Sequence, residues 1–484
     1  MSQSPRPPAA PAAPAAAPLL PFPPTSARPR PSAAQLAWQR EEIALFVHFT
    51  VNTFTGLEWG MGSESPAIFN PRALDARQWA RVARQGGAGT LILTAKHHDG
   101  FCLWPTKTTT HSVVSSPWRD GKGDVVREFV DACRAEGLDV GLYLSPWDRN
   151  AACYGQGEAY NDFYIEQLTE LLTQYGPIVE LWFDGANGEG PNGKKQEYDW
   201  ARIHETVRRL QPGAVMFSDG GPDLRWIGNE TGSAGSTCWS SVDPQRVPYA
   251  GFDAPWVNEA LQQGDPHGTA WRVGETDVSI RKGWFWRSSE DDQVRSPANL
   301  LALYFSSVGR NSKLLLNIPP TDEGLFHEND VRAFLEFARL REQLFASDAA
   351  PGASLGASSG GESASAVFDG APDSYWAPAE GEHSGWLELR WPQPVSFDVV
   401  HLREAITEGQ HIANYRVDVW RDGAWAPLTW GTTIGYCKLN PVPLTETDRL
   451  RVVIEHAYDR PRLARIALHR NPTGTVVEKA PWAL

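Results

Sequence analysis

The sequence predicts an α/β protein with a somewhat irregular (β/α)8-like barrel, the TIM-barrel architecture, followed by a C-terminal β-sandwich. Between residues 40 and 340 short β runs alternate with amphipathic helical segments, and each β run is almost wholly apolar. This pattern is typical of parallel strands buried on both faces, and about eight such strands in ~300 residues fit a closed barrel. Beyond residue 365 apolar and polar residues alternate, which indicates the antiparallel strands of a sandwich.

The first half of the barrel segment contains four predicted strands, at residues 43–50, 91–96, 139–145 and 178–184. The helices predicted between them span residues 75–87, 124–137 and 161–177. Asp75 opens the first helix as an N-cap, and Gln78 three residues later completes the pattern of a capping box. A Gly-Pro pair ends the third helix, because neither residue continues a helix well.

The second half of the barrel segment is predicted to be less regular. Its strands are expected at 214–220, 236–242, 271–279 and 313–319, and its helices at 199–210 and 296–310. Ser296 is a typical N-cap residue, and Pro297 fits the first helical position. No clear helix is predicted between residues 236 and 295, so we expect an irregular barrel wall there.

Composition divides the chain into four segments. Residues 1–34 are rich in Pro and Ala and predict a disordered lead-in, because closely spaced prolines interrupt helices. The barrel is assigned to residues 35–345 and a small-residue linker to 346–365. The sandwich is assigned to residues 366–475.

Two stretches of the tail carry the sandwich prediction. WLELRW places Leu387, Leu389 and Trp391 on one face and charged residues on the other. Further on, Arg421-Asp422-Gly423 joins two β runs and predicts a hairpin turn. The β runs of the tail together span roughly 110–120 residues, which is typical of one sandwich domain.

The charge balance argues against several classes of partner. The formal net charge is -14 and the sequence pI is near 5.4, whereas nucleic-acid binding needs clustered Lys and Arg. No stretch approaches about 18 consecutive apolar residues, so we expect no membrane span. The lead-in lacks the continuous apolar core of a secretory signal. We therefore expect a soluble, bacterial-type protein that is either exported or cytoplasmic.

Two residue counts bear on the chemistry. Five cysteines, an odd number without a CxxC pair, indicate neither a disulfide framework nor a zinc site. The chain has 21 tryptophans, whose flat faces suit either a core or stacking on the apolar faces of sugar rings.

Polar and aromatic residues follow the ends of the predicted barrel strands, where the catalytic groups of such barrels lie. The first strand ends at His48, and the second leads into KHHDG, which contains His97 and His98. The fourth strand delivers Asp184 directly after an apolar run, and Glu230 lies in the loop after the fifth. The other residues at these ends include Tyr143, Ser145, Trp147, Trp182 and Asn317. We therefore expect these side chains to converge on one rim.

Two carboxylates in a mouth lined with His and Trp suggest hydrolysis of a glycosidic bond. Asp184 is followed by Gly185 and Ala186, which leave room for a sugar beside a nucleophile, and Glu230 would act as the acid. In a retaining enzyme the two carboxyl groups lie about 5–5.5 Å apart. Taken singly, Asp184 also fits a helix cap or loop anchor and Glu230 an ordinary surface residue, and sequence spacing does not pair them.

Metal-assisted hydrolysis is the main chemical alternative. The residues with metal-ligating groups near the predicted rim are His48, His97, His98, Asp99 and Asp184. However, neither HxH nor HExxH occurs at a strand end. Adjacent histidines in an extended chain also point to opposite sides, which suits one metal ligand better than two.

Six motifs, in this order, resemble the α-L-fucosidases of glycoside hydrolase family 29: FVHFTVNTFTGLEWGMG, TAKHHDGFCLWPTK, LYLSPWD, LWFDGA, RWIGNETG and KLLLNIPP. They are most similar to the branch that prefers α-1,3/1,4-linked fucose in branched glycans of the Lewis a and Lewis x type. The resemblance covers residues 35–345. VFDGAPDSYWAP at residues 367–378 resembles the opening of a discoidin-like (F5/8 type C) or family 32 carbohydrate-binding module, a jelly-roll of the galactose-binding-like type.

The resemblance implies a retaining exo-α-L-fucosidase that releases terminal fucose from a fucosylated oligosaccharide or glycoconjugate through a covalent fucosyl-enzyme. Asp184 matches the nucleophile of the family, and Glu230 matches the acid/base of the α-1,3/1,4 branch. Neither a metal nor a cofactor is implied. The sugar-binding residues that it implies are His48, Glu58, Trp59, His97, His98, Tyr143, Trp147, Trp182, Trp284 and Trp286.

The sequence leaves several points open. GWFWR does not decide between Trp284 and Trp286, and LYLSPWD does not decide between Tyr143 and Ser145. Thr50 stands where the family usually has Gly or another small residue. A broad-specificity α-L-fucosidase, a metal-dependent hydrolase and a non-catalytic lectin are the alternative functions. Sugar binding by the tail and the oligomeric state are also undecided.

Overall fold

The computed structural model describes residues 28–474 of the chain. Most of the lead-in predicted for residues 1–34 therefore lies outside the described residues. The first helix, α1, begins at Ala33 inside that predicted segment, and Ser32 and Gln35 form its capping box. In this box the Ser32 hydroxyl accepts from the Gln35 N–H at 3.2 Å, and the Gln35 side chain accepts from the Ser32 N–H at 2.9 Å.

The helices and strands follow one another in the order expected of an α/β barrel with an all-β tail. The α-helices are α1 (Ala33–Arg40), α2 (Asn52–Thr55), α3 (Ala76–Gln85), α4 (Val125–Ala135), α5 (Glu158–Gln174), α6 (Trp200–Leu210), α7 (Val257–Gln263), α8 (Pro297–Ser306) and α9 (Glu328–Phe345). The strands up to the end of the barrel are β1 (Ile43–Val47), β2 (Thr90–Lys96), β3 (Asp139–Leu144), β4 (Glu180–Trp182), β5 (Val215–Ser218), β6 (Leu224–Trp226), β7 (Ser241–Val242), β8 (Ala270–Trp271), β9 (Val273–Ser279) and β10 (Ser312–Asn317). The strands of the tail are β11 (Ser354–Ala357), β12 (Gly385–Glu404), β13 (Ile412–Arg421), β14 (Ala424–Gly431), β15 (Lys438–Ala457) and β16 (Leu463–His469).

Eight parallel strands close into a barrel in the order β1-β10-β9-β6-β5-β4-β3-β2. The first strand closes the ring because it pairs with both β2 and β10, with Leu45 opposite Leu91 on one side and Leu316 on the other. The predicted fold class, a TIM-like barrel followed by an antiparallel β domain, is confirmed.

The sixth barrel strand is not the one that the sequence predicted. Residues 224–226 form β6, whereas the predicted strand at 236–242 is represented only by β7, which pairs with β8 outside the barrel. The strand β6 has the charged residue Arg225 at its centre, so it does not show the apolar pattern expected of a buried strand. Arg225 is nevertheless buried, and its guanidinium donates to the Leu261 carbonyl at 2.8 Å. That carbonyl belongs to α7, a helix in a region where none was predicted.

The helix caps agree only in part with the sequence patterns. Asp75 caps α3 as predicted, because its carboxylate accepts from the Arg77 N–H at 3.0 Å. The predicted capping box is wrong, since the Gln78 side chain instead exchanges hydrogen bonds with the backbone of Phe326. Ser296 caps α8 with Pro297 in its first turn, as predicted.

The barrel interior is filled by its own side chains and closed at the end opposite the carboxyl ends of the strands. Trp38 of α1 packs with this interior cluster, and its indole donates to Glu180 at 2.7 Å. The ammonium of Lys313 lies 4.6 Å from the centre of the Trp38 ring and binds Glu41 at 2.8 Å. The filled interior leaves the carboxyl ends of the strands as the open face, as is usual for this fold.

The tail folds into a six-stranded antiparallel sheet in which the order β11-β12-β15-β13-β14 is completed by β16 on β12. Residues 354–357 lie within the predicted linker but form β11. The small residues Ala350 and Ala364 of the same stretch are buried in the core of the tail, so this stretch is part of the domain rather than a free connection. The predicted hairpin turn forms at Asp422 and Gly423, which both have positive φ angles, 51° and 79°.

The barrel and the tail share a buried polar contact. Glu42 accepts hydrogen bonds from Tyr304 of the barrel at 2.6 Å and from Arg403 of the tail at 2.8 Å. Tyr436 of the tail adds a third hydrogen bond at 3.2 Å. Val399 and Leu439 of the tail also join the apolar core that surrounds the barrel. Among the described helices, none is both long and apolar enough to cross a membrane.

Candidate active site

A pocket with a volume of about 400 Å³ lies at the carboxyl ends of the barrel strands. This is the face at which barrels of this kind carry their catalytic groups. The pocket is lined by Phe46, His48, Glu58, Trp59, His97, His98, Tyr143, Trp147, Trp182, Asp184, Ala186, Asn187, Gly188, Glu230, Asp277 and Trp284. With the exception of Trp286, every residue that the sequence assigned to the site lines this pocket.

Asp184 lies two residues beyond β4 and is held by neighbours on both of its oxygens. Its Oδ1 accepts from the Ala186 N–H at 2.7 Å, and its Oδ2 accepts from the Tyr143 hydroxyl at 3.0 Å. The Nε2 atom of His98 lies 3.8 Å from the same Oδ2, and 26% of the Asp184 side chain is exposed. The carboxylate is therefore fixed in direction but open to the pocket.

Glu230 occupies a different environment in the same pocket. It lies in the loop after β6, and its Oε2 accepts from the indole N–H of Trp284 at 3.3 Å. Glu230 is exposed, but the atoms packed around its carboxyl partly desolvate it and raise its pKa. The nearby charge of Asp184 raises the pKa further, and the hydrogen bond from Trp284 opposes the rise. A raised pKa favours the protonated form that a proton donor needs.

His48 faces the pocket as a neutral ring. Its Nδ1 lies 2.9 Å from Asn317 Oδ1. The orientation of the Asn317 amide follows from its other contact, because its Nδ2 donates to the Trp284 carbonyl at 2.9 Å. Nδ1 of His48 therefore carries the hydrogen, and Nε2 is left as an acceptor. Burial lowers the pKa of His48 to about 3.

His97 and His98 follow β2 and are also neutral. Burial lowers the pKa of both rings, that of His97 well below its usual range. The Nδ1 of His98 lies 2.7 Å from Ser145 Oγ, which itself donates to the Trp147 carbonyl. Because that hydroxyl hydrogen is used, Nδ1 of His98 donates and Nε2 is an acceptor toward the pocket. Ser145 thus orients His98, while Tyr143 lines the pocket.

Indole rings form two walls of the pocket. Trp182 stacks on Phe217 with ring centres 4.0 Å apart, and its N–H donates to Glu275 at 3.0 Å. Trp284 lies on another side, 5.0 Å from the ring centre of His48. Trp286 does not line the pocket, because its N–H is turned to Asp291 at 3.0 Å. Between the two tryptophans that the sequence left open, the structure therefore places Trp284 at the pocket.

The mouth carries a third aromatic group. Trp59 is 60% exposed and meets Trp147 edge to face, with ring centres 6.0 Å apart. The indole N–H of Trp147 donates to the Glu189 carbonyl at 3.1 Å, which fixes this ring. An exposed indole at a pocket mouth offers a flat apolar surface to a ligand that extends out of the pocket.

Glu58 connects two loops at the pocket wall. Its Oε2 accepts from the backbone N–H of Trp284 at 3.0 Å, and its Oε1 is paired with Arg287. Arg287 also donates to the Gly56 carbonyl at 3.0 Å. Glu58 therefore both lines the pocket and holds the segment that carries Trp284.

Asp277 is a pocket residue that the sequence reasoning missed. It lies in β9, is buried, and accepts from the indole N–H of Trp226 at 2.8 Å. Burial and the neighbouring charge of Glu230 raise its pKa well above the usual range. The sequence did contain a sign of this residue, because GETDVS places charged and polar residues inside a predicted buried strand. Charged residues are rarely buried unless they are paired.

Four residues of the metal alternative line the pocket, namely His48, His97, His98 and Asp184, whereas Asp99 does not. Asp99 is buried and accepts from the Thr50 hydroxyl at 2.9 Å and from the Phe101 N–H at 2.8 Å. Thr50, the residue that differs from the family pattern, therefore binds the carboxylate of Asp99. Within residues 28–474 no three His, Cys, Asp or Glu side chains are grouped so that they could hold a metal ion.

Comparisons with known proteins agree with this geometry. The family model described as Alpha-L-fucosidase matches residues 34–340. Alpha-L-fucosidase 1 of Arabidopsis thaliana is 43% identical over 450 residues, which cover 91% of this chain and 87% of the plant protein.

Solved structures of similar proteins cover nearly the whole chain. The crystal structure of SpGH29 superposes with a TM-score of 0.87 at 41% identity and covers 92% of this chain and 99% of its own. A GH29 fucosidase of Ruminococcus gnavus in complex with fucose superposes with a TM-score of 0.84 at 31% identity, over 93% of this chain and 97% of its own. The chain therefore belongs to the GH29 family of alpha-L-fucosidases, which are glycoside hydrolases.

Proposed function

We propose that this α-L-fucosidase is a retaining exo-enzyme of the α-1,3/1,4 branch, which removes terminal fucose from branched glycans of the Lewis a and Lewis x type. The observation that carries the proposal is the contrast between Asp184 and Glu230 within one pocket. Asp184 is fixed by two hydrogen-bond donors, whereas Glu230 accepts a single hydrogen bond from an indole and has a raised pKa. This pairing of environments suits a nucleophile and a proton donor.

In the first step an oxygen of Asp184 forms a bond to the anomeric carbon of fucose. The bond from that carbon to the leaving oxygen breaks, and this oxygen takes the proton of Glu230. Tyr143 and the Ala186 N–H hold the attacking carboxylate in direction. The products are the leaving sugar and a fucosyl ester on Asp184.

In the second step Glu230, now ionised, takes a proton from water as the water oxygen bonds to the anomeric carbon. The ester bond breaks, Asp184 is restored as a carboxylate, and Glu230 is again protonated. Two successive inversions leave the released fucose with its original α configuration.

The neutral rings of His48, His97 and His98 suit the recognition of uncharged sugar hydroxyls. The Nε2 atoms of His48 and His98 are acceptors directed at the pocket, and acceptors of this kind bind hydroxyl hydrogens. Trp182 and Trp284 give the apolar walls that would pack the C5 methyl group of fucose.

Trp59 at the mouth supports a branched substrate. A sugar attached beside the fucose-bearing ring would leave the pocket over the exposed indole face of Trp59, which Trp147 supports from the side. A linear fucoside with a small leaving group would not use this surface.

The reaction outcome tests the mechanism directly. Proton NMR of an early time point should show α-fucose before mutarotation, and β-fucose as the first product would contradict a retaining enzyme. Rates on Lewis a trisaccharide, an H-type trisaccharide and 4-nitrophenyl α-L-fucoside, measured side by side, test the linkage proposal. Equal use of all three would instead favour a broad-specificity fucosidase.

We also infer that the tail, which the sequence assigned to residues 366–475, is a discoidin-like module joined to a barrel of residues 35–345, and that the module also includes β11 at residues 354–357. The six antiparallel strands are compatible with this assignment. Two aromatic residues of the tail have structural roles: Trp376 is wholly buried, and Tyr436 donates a hydrogen bond to Glu42. A test is whether the full chain is retained on a column of immobilised lactose and whether deletion of residues 352–484 abolishes this retention, with the thermal stability of both forms measured in parallel.

A further inference from the structure

A second large cavity lies where the barrel meets the tail. It has a volume of about 740 Å³. The barrel contributes α8 and the loop after β6, and the tail contributes the end of β14 and the start of β15. We call this cavity the junction cleft. Its polar and aromatic lining includes Thr231, Ser233, Thr237, Arg310, Trp430, Thr432, Lys438 and Asn440.

A single loop separates the junction cleft from the pocket of Asp184. Glu230 lines the pocket, and Thr231, the next residue, lines the cleft. A ligand in the cleft therefore lies on the other side of the loop that carries Glu230. None of the residues that line the cleft lines the pocket, so the two cavities are distinct.

The cleft is positively charged in a protein whose formal net charge is -14. The residues that line it, all within the described part of the chain, include no Asp or Glu. Two of its cations, Arg310 and Lys438, lie opposite each other in an antiparallel bridge that joins the barrel to the tail. Like charges in directly opposed positions destabilise a sheet, so the arrangement costs free energy until an anion binds.

The two cations already hold the loop beside them. Arg310 donates to the Ala234 carbonyl at 2.8 Å, and Lys438 donates to the Ser236 carbonyl at 2.8 Å. Burial and, second to it, the charge of Arg310 lower the pKa of the Lys438 ammonium to about 8.

Trp430 gives the cleft a surface for a sugar ring. It lies near the end of β14, the last strand in the sheet order, and is 40% exposed. An indole left exposed beside hydroxyl groups suits a ring with one apolar face and polar edges. Thr237 and Thr432, which are hydrogen-bonded across the cleft at 2.7 Å, supply such hydroxyls.

We propose that the junction cleft binds a sugar that carries a negative charge, either a carboxylate or a sulfate, with Lys438 and Arg310 on the anion and Trp430 on the ring. Charge-assisted hydrogen bonds to the anion would offset the repulsion between the two cations. This site is separate from fucose hydrolysis and does not depend on which residues catalyse it.

Calorimetric titration of the full chain with three fucose-free probes tests the site: 3′-sialyllactose, 3′-sulfolactose and lactose. Both charged probes should bind at least about tenfold more tightly than lactose, and the difference should shrink at high salt. Preference for only one of them would identify the anion as a carboxylate or a sulfate and would still support the site. Binding of all three with equal affinity, or of none, would overturn it.

Two variants locate the binding. Lys438→Gln should remove the preference for charged probes, and Trp430→Ala should weaken all three probes. The matched controls are Lys122→Gln and Trp256→Ala, which alter exposed residues outside both cavities. Retention of the charge preference in Lys438→Gln would place the anion elsewhere. Because Trp430 is exposed, its variant tests the site even where Lys438→Gln folds poorly.

Discussion

The two sides of the active-site pocket hold their carboxyl groups in different ways. On one side Asp184 follows β4. Its neighbour Tyr143 belongs to the next strand, β3, and its neighbour His98 follows β2. On the other side Glu230 and Trp284 lie in loops that touch each other at 3.3 Å. We call these the strand side and the loop side.

The difference matches what each proposed role requires. A nucleophile must lie in line with the bond that it attacks, and strands of a closed barrel fix position better than loops do. A proton donor needs a suitable pKa and must accommodate leaving groups of different shape. The loops around Glu230 partly desolvate its carboxyl and so raise the pKa, although the residue stays exposed and is not tied to the barrel wall.

The largest expected effect is on the strand side. Asp184→Ala should lower kcat by a factor of ~10⁴ or more, because the covalent path is lost. Azide should restore part of the activity and give β-fucosyl azide, since it can attack from the vacated face. The measurement is the release of 4-nitrophenol.

Asp162→Ala is the control for this variant, because Asp162 is an exposed carboxylate on α5 whose partner is Arg202. An exposed ion pair contributes little to stability, so this control should keep full activity. Full activity in Asp184→Ala would remove Asp184 from the mechanism.

The next effect is on the loop side and depends on the leaving group. Glu230→Gln should lower kcat/KM for Lewis a trisaccharide by ~10²–10⁴, the usual contribution of a general acid. For 4-nitrophenyl fucoside, whose leaving group needs no proton, kcat/KM should fall less than about tenfold. Mass spectrometry should then detect the accumulated fucosyl-enzyme. Equal losses on both substrates would argue for a different proton donor.

A smaller effect tests how the strand side orients its carboxylate. Tyr143→Phe removes the hydrogen bond to Asp184 Oδ2. A hydrogen bond to a charged group contributes about 1.5–3 kcal/mol, so kcat/KM should fall by ~10–100-fold.

Tyr164→Phe is the matched control for this variant. It removes another buried hydroxyl, whose partner is the Leu144 carbonyl at 2.6 Å. Both variants should lose similar thermal stability, but only Tyr143→Phe should lose activity. Similar rate losses in Tyr143→Phe and Tyr164→Phe would show a general effect of removing a buried hydroxyl.

The strand side was also the side that the sequence predicted well. Four residues of this side follow apolar β runs: His48, His97, His98 and Asp184. The positions of the predicted strand ends were therefore enough to place them at one rim. A buried strand end does not decide which neighbour faces the pocket. Ser145 and Tyr143 lie two residues apart on the same run, and only the packed structure separates their roles.

The loop side could be predicted only through family resemblance. The strand β6 is three residues long and has a buried Arg225 at its centre. The loop that carries Glu230 is therefore not preceded by an apolar run from which it could be predicted. The contact between Glu58 and the Trp284 backbone joins residues far apart in the chain. No local pattern encodes such a contact, and the same holds for the choice between Trp284 and Trp286.

The smallest expected effect is a shift in pH dependence. Trp284→Phe removes the hydrogen bond that the indole gives to Glu230 Oε2, while an aromatic ring is kept at the pocket wall. This hydrogen bond stabilises the ionised carboxylate and so lowers the pKa of Glu230. Its loss should raise that pKa further.

The direction of the shift follows from the role of Glu230. The first step needs Glu230 protonated, so kcat/KM falls as the pH rises through its pKa. A higher pKa therefore moves the basic limb of the profile to higher pH. Trp286→Phe, which alters an indole bound to Asp291 in the same segment, should leave the limb in place. A basic limb that moves to lower pH in Trp284→Phe, or that moves equally in both variants, would show that the indole of Trp284 does not set the acidity of the loop side.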